Sequence, residues 1–396
     1  MSFEFGSVVL DPERYELTRG GIRQDVEPQV FRLLLLLAEN PGRVVTRDEM
    51  IETVWGGRIV SEATISARIA AARRAVGDDG ARQQVIRTVR KVGLMLVPPL
   101  SRPEGSAAPA GTPDRPAARQ TVRIATSPDG THIAFAQHGT GPFLLRGGHW
   151  LGHLEHDLDS PIFGPLLERL GAAFTVIRYD PRGTGMSARG VSDLSLDRQV
   201  EDLAAVANAA QAQRFPIYAA SQAAPVAIAF AARYPERVSA LITCGGYAVG
   251  RHHRLSEEEH ALEATQLTLI REGWGRPGSA FLNAFSTIYM PSATSEQLAH
   301  LVAVQLASAD GETAVALRKA IDRHDVSGIL GKVTAPTLVL HATDDAVQPL
   351  AQGRALAAGI PGAVLRQYES SNHILAPQEP LWDALIRQII DFAAAP

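Results

Sequence analysis

Cysteine is almost absent from this 396-residue sequence, in which Cys244 is the only one. One cysteine cannot form an intrachain disulfide, so a disulfide-stabilised secreted scaffold and a cysteine-rich zinc domain are excluded. Long apolar runs are also lacking, and the run from Leu33 to Ala38 is too short to span a bilayer. The first residues, Met1 to Gly6, lack the basic and apolar regions of a signal peptide. We therefore expect a cytoplasmic protein without a membrane partner.

Neither sign of charge dominates, because the sequence has 38 Lys and Arg and 42 Asp and Glu, which gives a net charge of −4. With 45% hydrophobic and 20% charged residues, the composition is that of a globular chain. The length corresponds to two or three domains of average size. Residues 101–119 are mostly Pro, Ala, Gly and Ser, without a hydrophobic period, and predict a flexible linker between residues 1–100 and 120–396. A long loop inside one domain is the alternative.

The first hundred residues alternate short strand-like segments with three predicted helices. An apolar helix is expected from about Pro28 to Asn40, a capping box formed by Thr46 and Glu49 opens the second, and Ser61 can cap the third. The third helix has one apolar stripe, Ile65, Ile69, Ala72 and Val76, and an opposite face of alanines and Arg74. Small side chains there allow a helix to lie deep in a DNA major groove. Residues 66–91 also hold seven basic and two acidic residues, a local charge that favours DNA binding and for which a solvated helix face is the other explanation.

Residues 1–98 resemble the OmpR/PhoB-type winged helix-turn-helix domain in "VFRLLLLLAENPGRVVTRDEMIETVWG", "ARRAVGDD" and "VIRTVRKVGLMLV". The resemblance implies an α+β fold that binds double-stranded DNA, with the third helix in the major groove and a basic hairpin along the minor groove. The chain departs from the family at Lys91-Val92-Gly93-Leu94, where the family usually has Gly-x-Gly-Tyr. A homodimer is expected, because such regulators read repeated half-sites. A nucleoid-associated location is also expected. The predicted DNA contacts are Ser61, Thr64, Ser66, Arg68, Arg73 and Arg74 on the helix and Arg87, Thr88, Arg90 and Lys91 in the hairpin.

Strands alternate with helices beyond residue 120, which predicts a mostly parallel sheet covered on both faces. Ser221 follows the strand Pro216 to Ala219 and precedes an alanine-rich helix. A nucleophilic serine occupies such a turn in hydrolases, and the residues two before and two after it must be small. Ala219 and Ala223 meet that requirement, although glycine is the usual choice.

An acid and a histidine follow the last two predicted strands in the order that this serine chemistry uses. Asp345 follows the strand Leu338 to His341, and His373 follows the strand Val364 to Tyr368. Asp345 can orient the His373 imidazole so that it accepts the serine proton. We interpret Asp344 as a turn residue and His341 as a packed or capping side chain.

Residues 120–396 resemble the α/β-hydrolase fold in "RYDPRGTGMS", "AASQAAPVAIAFAARYPERV", "PTLVLHATDD" and "SSNH". The stretch "GGHWLGHLEHDLDSP" resembles hydrolase-like modules fused to regulatory output domains. The resemblance assigns Ser221, Asp345 and His373 to the triad positions. The oxyanion-hole donors are expected to be Gln222 and the turn that contains Gly148 and His149.

A largely helical insertion at about 250–326 falls where this family carries a cap. Its apolar residues predict a ligand pocket formed by Phe281, Phe285 and Met290 together with Trp150. His252, His253 and His260 lie near Glu257–Glu259, but such surface clusters usually stay solvated, so neither a metal site nor a cofactor is expected.

Two functions fit these features. One is a transcription regulator whose hydrolase-like domain senses a small apolar or acyl-type ligand. The other is an active serine hydrolase, acting on ester, thioester or lactone bonds, with an accessory DNA-binding domain. The triad favours retained chemistry, whereas the alanines at the elbow favour a sensor with slow or absent turnover.

Overall fold

The structure is a computed structural model that describes residues 3–5, 8–12, 14–40, 43–55, 60, 62–78, 83–89, 93–97, 120–149, 152–274 and 279–395. The chain divides into two compact units, Met1–Arg115 and Pro116–Pro396. The predicted linker, 101–119, lies outside the described residues. Within the described residues, no helix combines the length and the apolarity that a membrane span requires.

The described residues of the N-terminal unit form two antiparallel sheets and three helices. The strand order is β1-β2-β3-β4 in one sheet and β5-β7-β6 in the other. The elements are β1 (Phe3–Phe5), β2 (Val8–Asp11), β3 (Glu16–Arg19), β4 (Ile22–Gln24), α1 (Pro28–Ala38), β5 (Val44–Thr46), α2 (Arg47–Trp55), α3 (Glu62–Ala75), β6 (Ile86–Val89) and β7 (Gly93–Leu96).

The core of this unit forms around α1, whose Phe31, Leu33 and Leu34 are buried together with residues of the other elements. At the start of α2, the predicted capping box is confirmed. The Glu49 amide donates to Thr46 Oγ1 over 3.3 Å, and the Thr46 amide donates to Glu49 Oε2 over 2.6 Å. These bonds satisfy amides that would otherwise lack a partner at the helix start.

The second unit is built on an eight-stranded sheet with the order β15-β14-β13-β12-β10-β11-β9-β8. Strands β10 to β15 run parallel, and β8 and β9 pair antiparallel at one edge. The strands are β8 (Val122–Thr126), β9 (His132–His138), β10 (Phe143–Arg146), β11 (Thr175–Tyr179), β12 (Phe215–Ala220), β13 (Val238–Cys244), β14 (Thr337–Ala342) and β15 (Val364–Tyr368).

Helices cover both faces of this sheet, as its apolar strands require. On β12, Ile217 and Ala219 belong to the apolar cluster that includes α6, α7 and α12, whereas Tyr218 belongs to the cluster with α5 and α13. The helices are α4 (Leu154–Asp157), α5 (Phe163–Gly171), α6 (Leu196–Ala209), α7 (Ala223–Arg233), α8 (Glu257–Gly273), α9 (Ala280–Tyr289), α10 (Ser295–Ser308), α11 (Gly311–Asp322), α12 (Leu350–Gly359) and α13 (Trp382–Ala394).

Helices α8 to α11 lie between β13 and β14, over the stretch predicted as a cap. The two ends of this insertion meet at one place. Val249 and Asp325 form an antiparallel bridge, and the Val326 amide donates to the Ala248 carbonyl over 2.8 Å. The cap is therefore an insertion closed at its base.

Candidate active site and DNA-binding surface

Ser221 lies on a sharp turn between β12 and α7, with a φ of +52°. A residue with a side chain rarely adopts this left-handed conformation, and holding it there costs about 1–3 kcal/mol. The turn is fixed because the Ser221 amide donates to the Cys244 carbonyl at the end of β13 over 2.9 Å. The strained backbone is the one expected of a nucleophile at the end of a strand.

The alanines beside this turn are accommodated by a glycine on the neighbouring strand end. A Cβ added to Gly147 would lie 2.8 Å from the Ala223 methyl group and 3.5 Å from the Ala219 methyl group. Because Gly147 has no side chain, the two methyl groups occupy that space. The replacement of the usual elbow glycines by alanine therefore leaves the turn intact.

Ser221, His373 and Asp345 form one hydrogen-bonded chain. His373 Nε2 lies 2.7 Å from Ser221 Oγ, and His373 Nδ1 lies 2.7 Å from Asp345 Oδ2. All three side chains are buried. In this arrangement the imidazole can take the serine proton through Nε2 while the carboxylate accepts the hydrogen bond from Nδ1.

Asp345 is held as a carboxylate by a loop that points two backbone amides at it. The amides of Val347 and Gln348 each donate to Asp345 Oδ1 over 2.9 Å. Burial alone would raise the pKa of Asp345, but the bonds from His373 and from these amides hold it below the usual value. The neighbouring Asp344 is exposed and accepts a bond from the Thr343 hydroxyl, as expected of a turn residue.

Two further residues contact His373 and were not identified as site residues from the sequence. Gly245 has a φ of +58°, and a Cβ added there would lie 3.1 Å from the His373 ring and 3.3 Å from Asp345. The ring of Tyr289 in α9 meets the His373 ring edge-on, with centroids 5.6 Å apart. The Tyr289 carbonyl also accepts the His373 amide over 2.9 Å, so the cap contacts the histidine loop directly. A glycine pair following a strand was the only sequence signal for Gly245.

The expected oxyanion-hole residues lie beside the elbow. Gln222 occupies the N-cap position of α7 without a capping side-chain bond, and its side-chain Nε2 donates to the Gly148 carbonyl over 3.2 Å. The Gly148 amide interacts with the Tyr179 hydroxyl, so it already has a partner. Burial, followed by the positive charge of Arg146, lowers the pKa of His149 to about 3, so this imidazole is neutral.

The predicted pocket residues belong to the cap core. Phe285 contacts Phe281 at 5.7 Å and Tyr289 at 5.1 Å between ring centroids. Met290 is fully buried in the same apolar cluster, in which Phe281 and Phe285 are half-buried. Trp150 lies outside the described residues, and the ligand contacts of all four side chains stay predictions.

In the N-terminal unit, α3 presents the outer face that the sequence predicted. Ile65, Ala72 and Val76 are buried. Ser66 and Arg74 are exposed on the opposite side, together with Ala67 and Ala70. Arg87 and Thr88 are exposed on β6. Thr64 is half-buried, and Ser61, Arg90 and Lys91 lie outside the described residues.

Two of the predicted DNA-binding arginines are bonded within the unit. Arg68 pairs with Glu27 over 2.6 Å and donates to the Gln29 side chain over 3.0 Å. Arg73 donates to the Ile86 carbonyl and, over 2.7 Å, to Thr88 Oγ1, which ties α3 to β6. The position of an arginine along a helix does not reveal such partners, because they lie in distant parts of the chain.

Comparison with known proteins matches each of the two units to a protein family. Residues 23–96 match the family described as transcriptional regulatory protein, C terminal, and residues 162–379 match the family described as serine aminopeptidase, S33. The DNA-binding response regulator MtrA of Mycolicibacterium smegmatis is 36% identical over 95 residues, which are 24% of this chain and 42% of that protein. The chain thus spans less than half the length of that regulator.

The second unit has relatives among hydrolases. The RutD protein of Azorhizobium caulinodans, which carries the name of a carbamate hydrolase, is 27% identical over 256 residues, or 61% of this chain and 88% of that protein. A hydrolase from Pseudomonas aeruginosa PA01 superposes with a TM-score of 0.58 at 22% identity, covering 69% of this chain and 98% of that one. At that identity the likeness shows the fold alone. Since the second family match takes in more than half of the sequence, the chain belongs to the serine aminopeptidase S33 family, with an OmpR/PhoB-type DNA-binding domain ahead of its α/β-hydrolase domain.

Proposed function

We propose that this protein is a DNA-binding transcription regulator whose α/β-hydrolase domain recognises a small acyl-type compound and reacts with it at Ser221. The observation that carries the proposal is the continuous hydrogen-bonded chain from Ser221 through His373 to Asp345, on a strained turn. A domain that only bound a ligand would not require a nucleophile, a base and an orienting acid in one line.

The proposed reaction begins when Ser221 Oγ attacks the carbonyl carbon of an ester, thioester or lactone as its proton passes to His373 Nε2. The amides of Gln222 and His149 would stabilise the negative oxygen of the tetrahedral intermediate. The bond to the leaving alcohol or thiol then breaks, and the leaving group takes the proton from His373. Water next attacks the acyl group on Ser221, giving its proton to His373, which returns it to Ser221 as the acid is released.

The proposed DNA contacts come from the outer face of α3 and from β6. Ser66 and Arg74 on the helix and Arg87 on the strand are exposed for contacts to base edges and phosphates. Arg68 and Arg73 would have to exchange their present bonds to make the contacts predicted for them. We further propose that two copies bind repeated half-sites.

Labelling with a fluorophosphonate tests the nucleophile. We expect one probe on the wild type, none on Ser221→Ala, and a labelling rate for Asp345→Asn lower by a factor on the order of 10⁴. The exposed neighbour offers a matched control, Asp344→Asn, which should label at the wild-type rate. Equal rates for the two asparagine variants would contradict the assigned role of Asp345.

The same labelled protein tests sensing, because the probe occupies the site with an acyl-like group. We expect the affinity for DNA from upstream of the protein's own gene to change by roughly 5–150-fold on labelling, the usual range of coupling between two sites. Ser221→Ala treated with the probe is the control. Complete labelling without a change in affinity would favour the second function, an active hydrolase with an accessory DNA-binding domain.

A further inference from the structure

Three side chains that could ligate a metal meet at the base of the cap. His252 Nδ1 lies 3.1 Å and His260 Nδ1 lies 3.6 Å from the same oxygen, Glu263 Oε2. The three donor atoms all lie within 4.8 Å of one another. The sequence argument grouped both histidines with His253 and Glu257–Glu259 and expected no metal. The structure selects a different carboxylate, one helical turn beyond His260.

The spacing of these atoms is close to that of a metal site. In a tetrahedral zinc site, ligands lie about 2.0–2.2 Å from the ion, so two donor atoms are roughly 3.3–3.5 Å apart. The two observed separations, 3.1 and 3.6 Å, lie on either side of that value. Imidazole nitrogen with one carboxylate oxygen is a donor set that suits zinc and its neighbours among the transition metals.

The backbone places these donors from two sides. His260 and Glu263 occupy one face of α8, whose first turn is fixed by a capping box between Ser256 and Glu259. His252 belongs to the short 3-10 helix Arg251–Arg254, and the adjoining His253 is bonded to the Arg323 carbonyl over 3.0 Å. The three donors are therefore held by elements that are each anchored independently.

The Glu263 carboxylate is directed at the two imidazoles, since one of its oxygens lies within 4 Å of both His252 Nδ1 and His260 Nδ1. The Glu263 side chain is only 15% exposed, so its charge is poorly screened by solvent. A carboxylate that turns inward toward two imidazoles on the cap surface has no role in the serine chemistry described above.

We propose that His252, His260 and Glu263 bind one divalent transition-metal ion of the zinc type, with water completing its coordination. On binding, His252 gives up the Nδ1 proton that it donates to Glu263, the proton passes to solvent, and each imidazole presents its Nδ1 lone pair with a proton on Nε2. The hydrogen bond from His252 to Glu263 is replaced by two metal–ligand bonds. The ion ties the Arg251–Arg254 turn to α8 and stiffens the base of the cap. This site is separate from Ser221 and does not depend on the proposed reaction.

The test is titration of the untagged full-length protein with Zn²⁺ by calorimetry, and with Co²⁺ followed by visible absorption. We expect one ion per chain, the absorption bands of a histidine-ligated cobalt ion, and at least a hundredfold loss of affinity in His260→Ala and in Glu263→Gln. His132→Ala, which removes an exposed histidine on β9 outside the cluster, should bind like the wild type. Circular dichroism checks that each variant is folded.

Two results would overturn the proposal. One is the absence of stoichiometric binding by the wild type. The other is binding that survives both His260→Ala and Glu263→Gln, since the ion would then be held elsewhere. A variant that fails to fold is replaced by His252→Gln, for which the same loss of affinity is expected.

Discussion

The closeness of Gly147 to Ala223 explains how a serine elbow tolerates alanine. It also predicts that the effects of substitutions at these two positions on stability and labelling are not additive. Gly147→Ala would place a methyl carbon 2.8 Å from the Ala223 methyl carbon, whereas such carbons normally pack at about 3.5–4.0 Å. The φ of Gly147 is not in the left-handed region, so alanine is allowed there by the backbone. The steric contact alone should decide the outcome.

The expected cost follows from the shortfall of about 0.7 Å or more in this separation. Overpacking a rigid interior costs about 1–3 kcal/mol in the free energy of unfolding. The strain falls on the first residue of α7, two positions after Ser221. Displacement of that serine relative to His373 should therefore slow fluorophosphonate labelling by roughly ten- to a hundredfold.

The compensating substitution is Ala223→Gly, which removes the methyl group that Gly147→Ala would meet. Alone, it should cost up to about 1 kcal/mol, because glycine is a poorer helix residue than alanine. Combined with Gly147→Ala, it should restore most of the labelling rate and give a coupling energy of about 1–2 kcal/mol. Urea unfolding and labelling of the four proteins measure the cycle. Additive free energies, or a Gly147→Ala protein that labels like the wild type, would refute the steric account.

Two further predictions concern the pH dependence of stability and the DNA-binding surface. Burial and, after it, neighbouring positive charge hold the pKa of folded His149 at about 3. An unfolded histidine takes up its proton near pH 6.5. The free energy of unfolding therefore decreases as the pH falls below about 6.5. His149→Gln should flatten that dependence between pH 7 and 5 by up to about 1.4 kcal/mol per pH unit in urea titrations. Arg74→Ala should weaken operator binding and make the slope of log K against log salt shallower by about 0.9, as one phosphate contact is lost. Arg23→Ala removes the same charge from a different element, β4, and serves as the control. An equal loss of operator affinity in Arg23→Ala would contradict the assignment of the phosphate contact to α3.

The sequence predicts those features that depend on local pattern and on order along the chain. Ser221 lies between a strand and a helix, an acid follows one late strand, and a histidine follows the next. These local signals, together with the resemblance to the α/β-hydrolase fold, name the three residues that the structure brings together. The apolar stripe of α3 likewise identifies its buried face, because helical periodicity alone determines which residues lie on one side.

The remaining features depend on contacts between distant segments. Nothing near Gly147 in the sequence indicates that its missing side chain accommodates Ala223, 76 positions later. From the sequence, Arg68 is predicted to contact DNA. Its partners, Glu27 and Gln29, precede it by about 40 residues, so local pattern does not reveal them. The same limitation applies to the cap histidines, for which spacing along the chain suggested three neighbouring acids and the fold selected Glu263.

The bonds between the cap and the histidine loop predict that displacement of the cap changes the reactivity of Ser221. The carbonyl of Tyr289, the last residue of α9, accepts the amides of both His373 and Ile374. His373 Nε2 lies 2.7 Å from Ser221 Oγ, and we expect a displacement of α9 that breaks the bonds to Tyr289 to lengthen that distance. We therefore expect a ligand that holds α9 in its present place to favour the reactive arrangement as well, because a ligand shifts an equilibrium toward the state that it binds better.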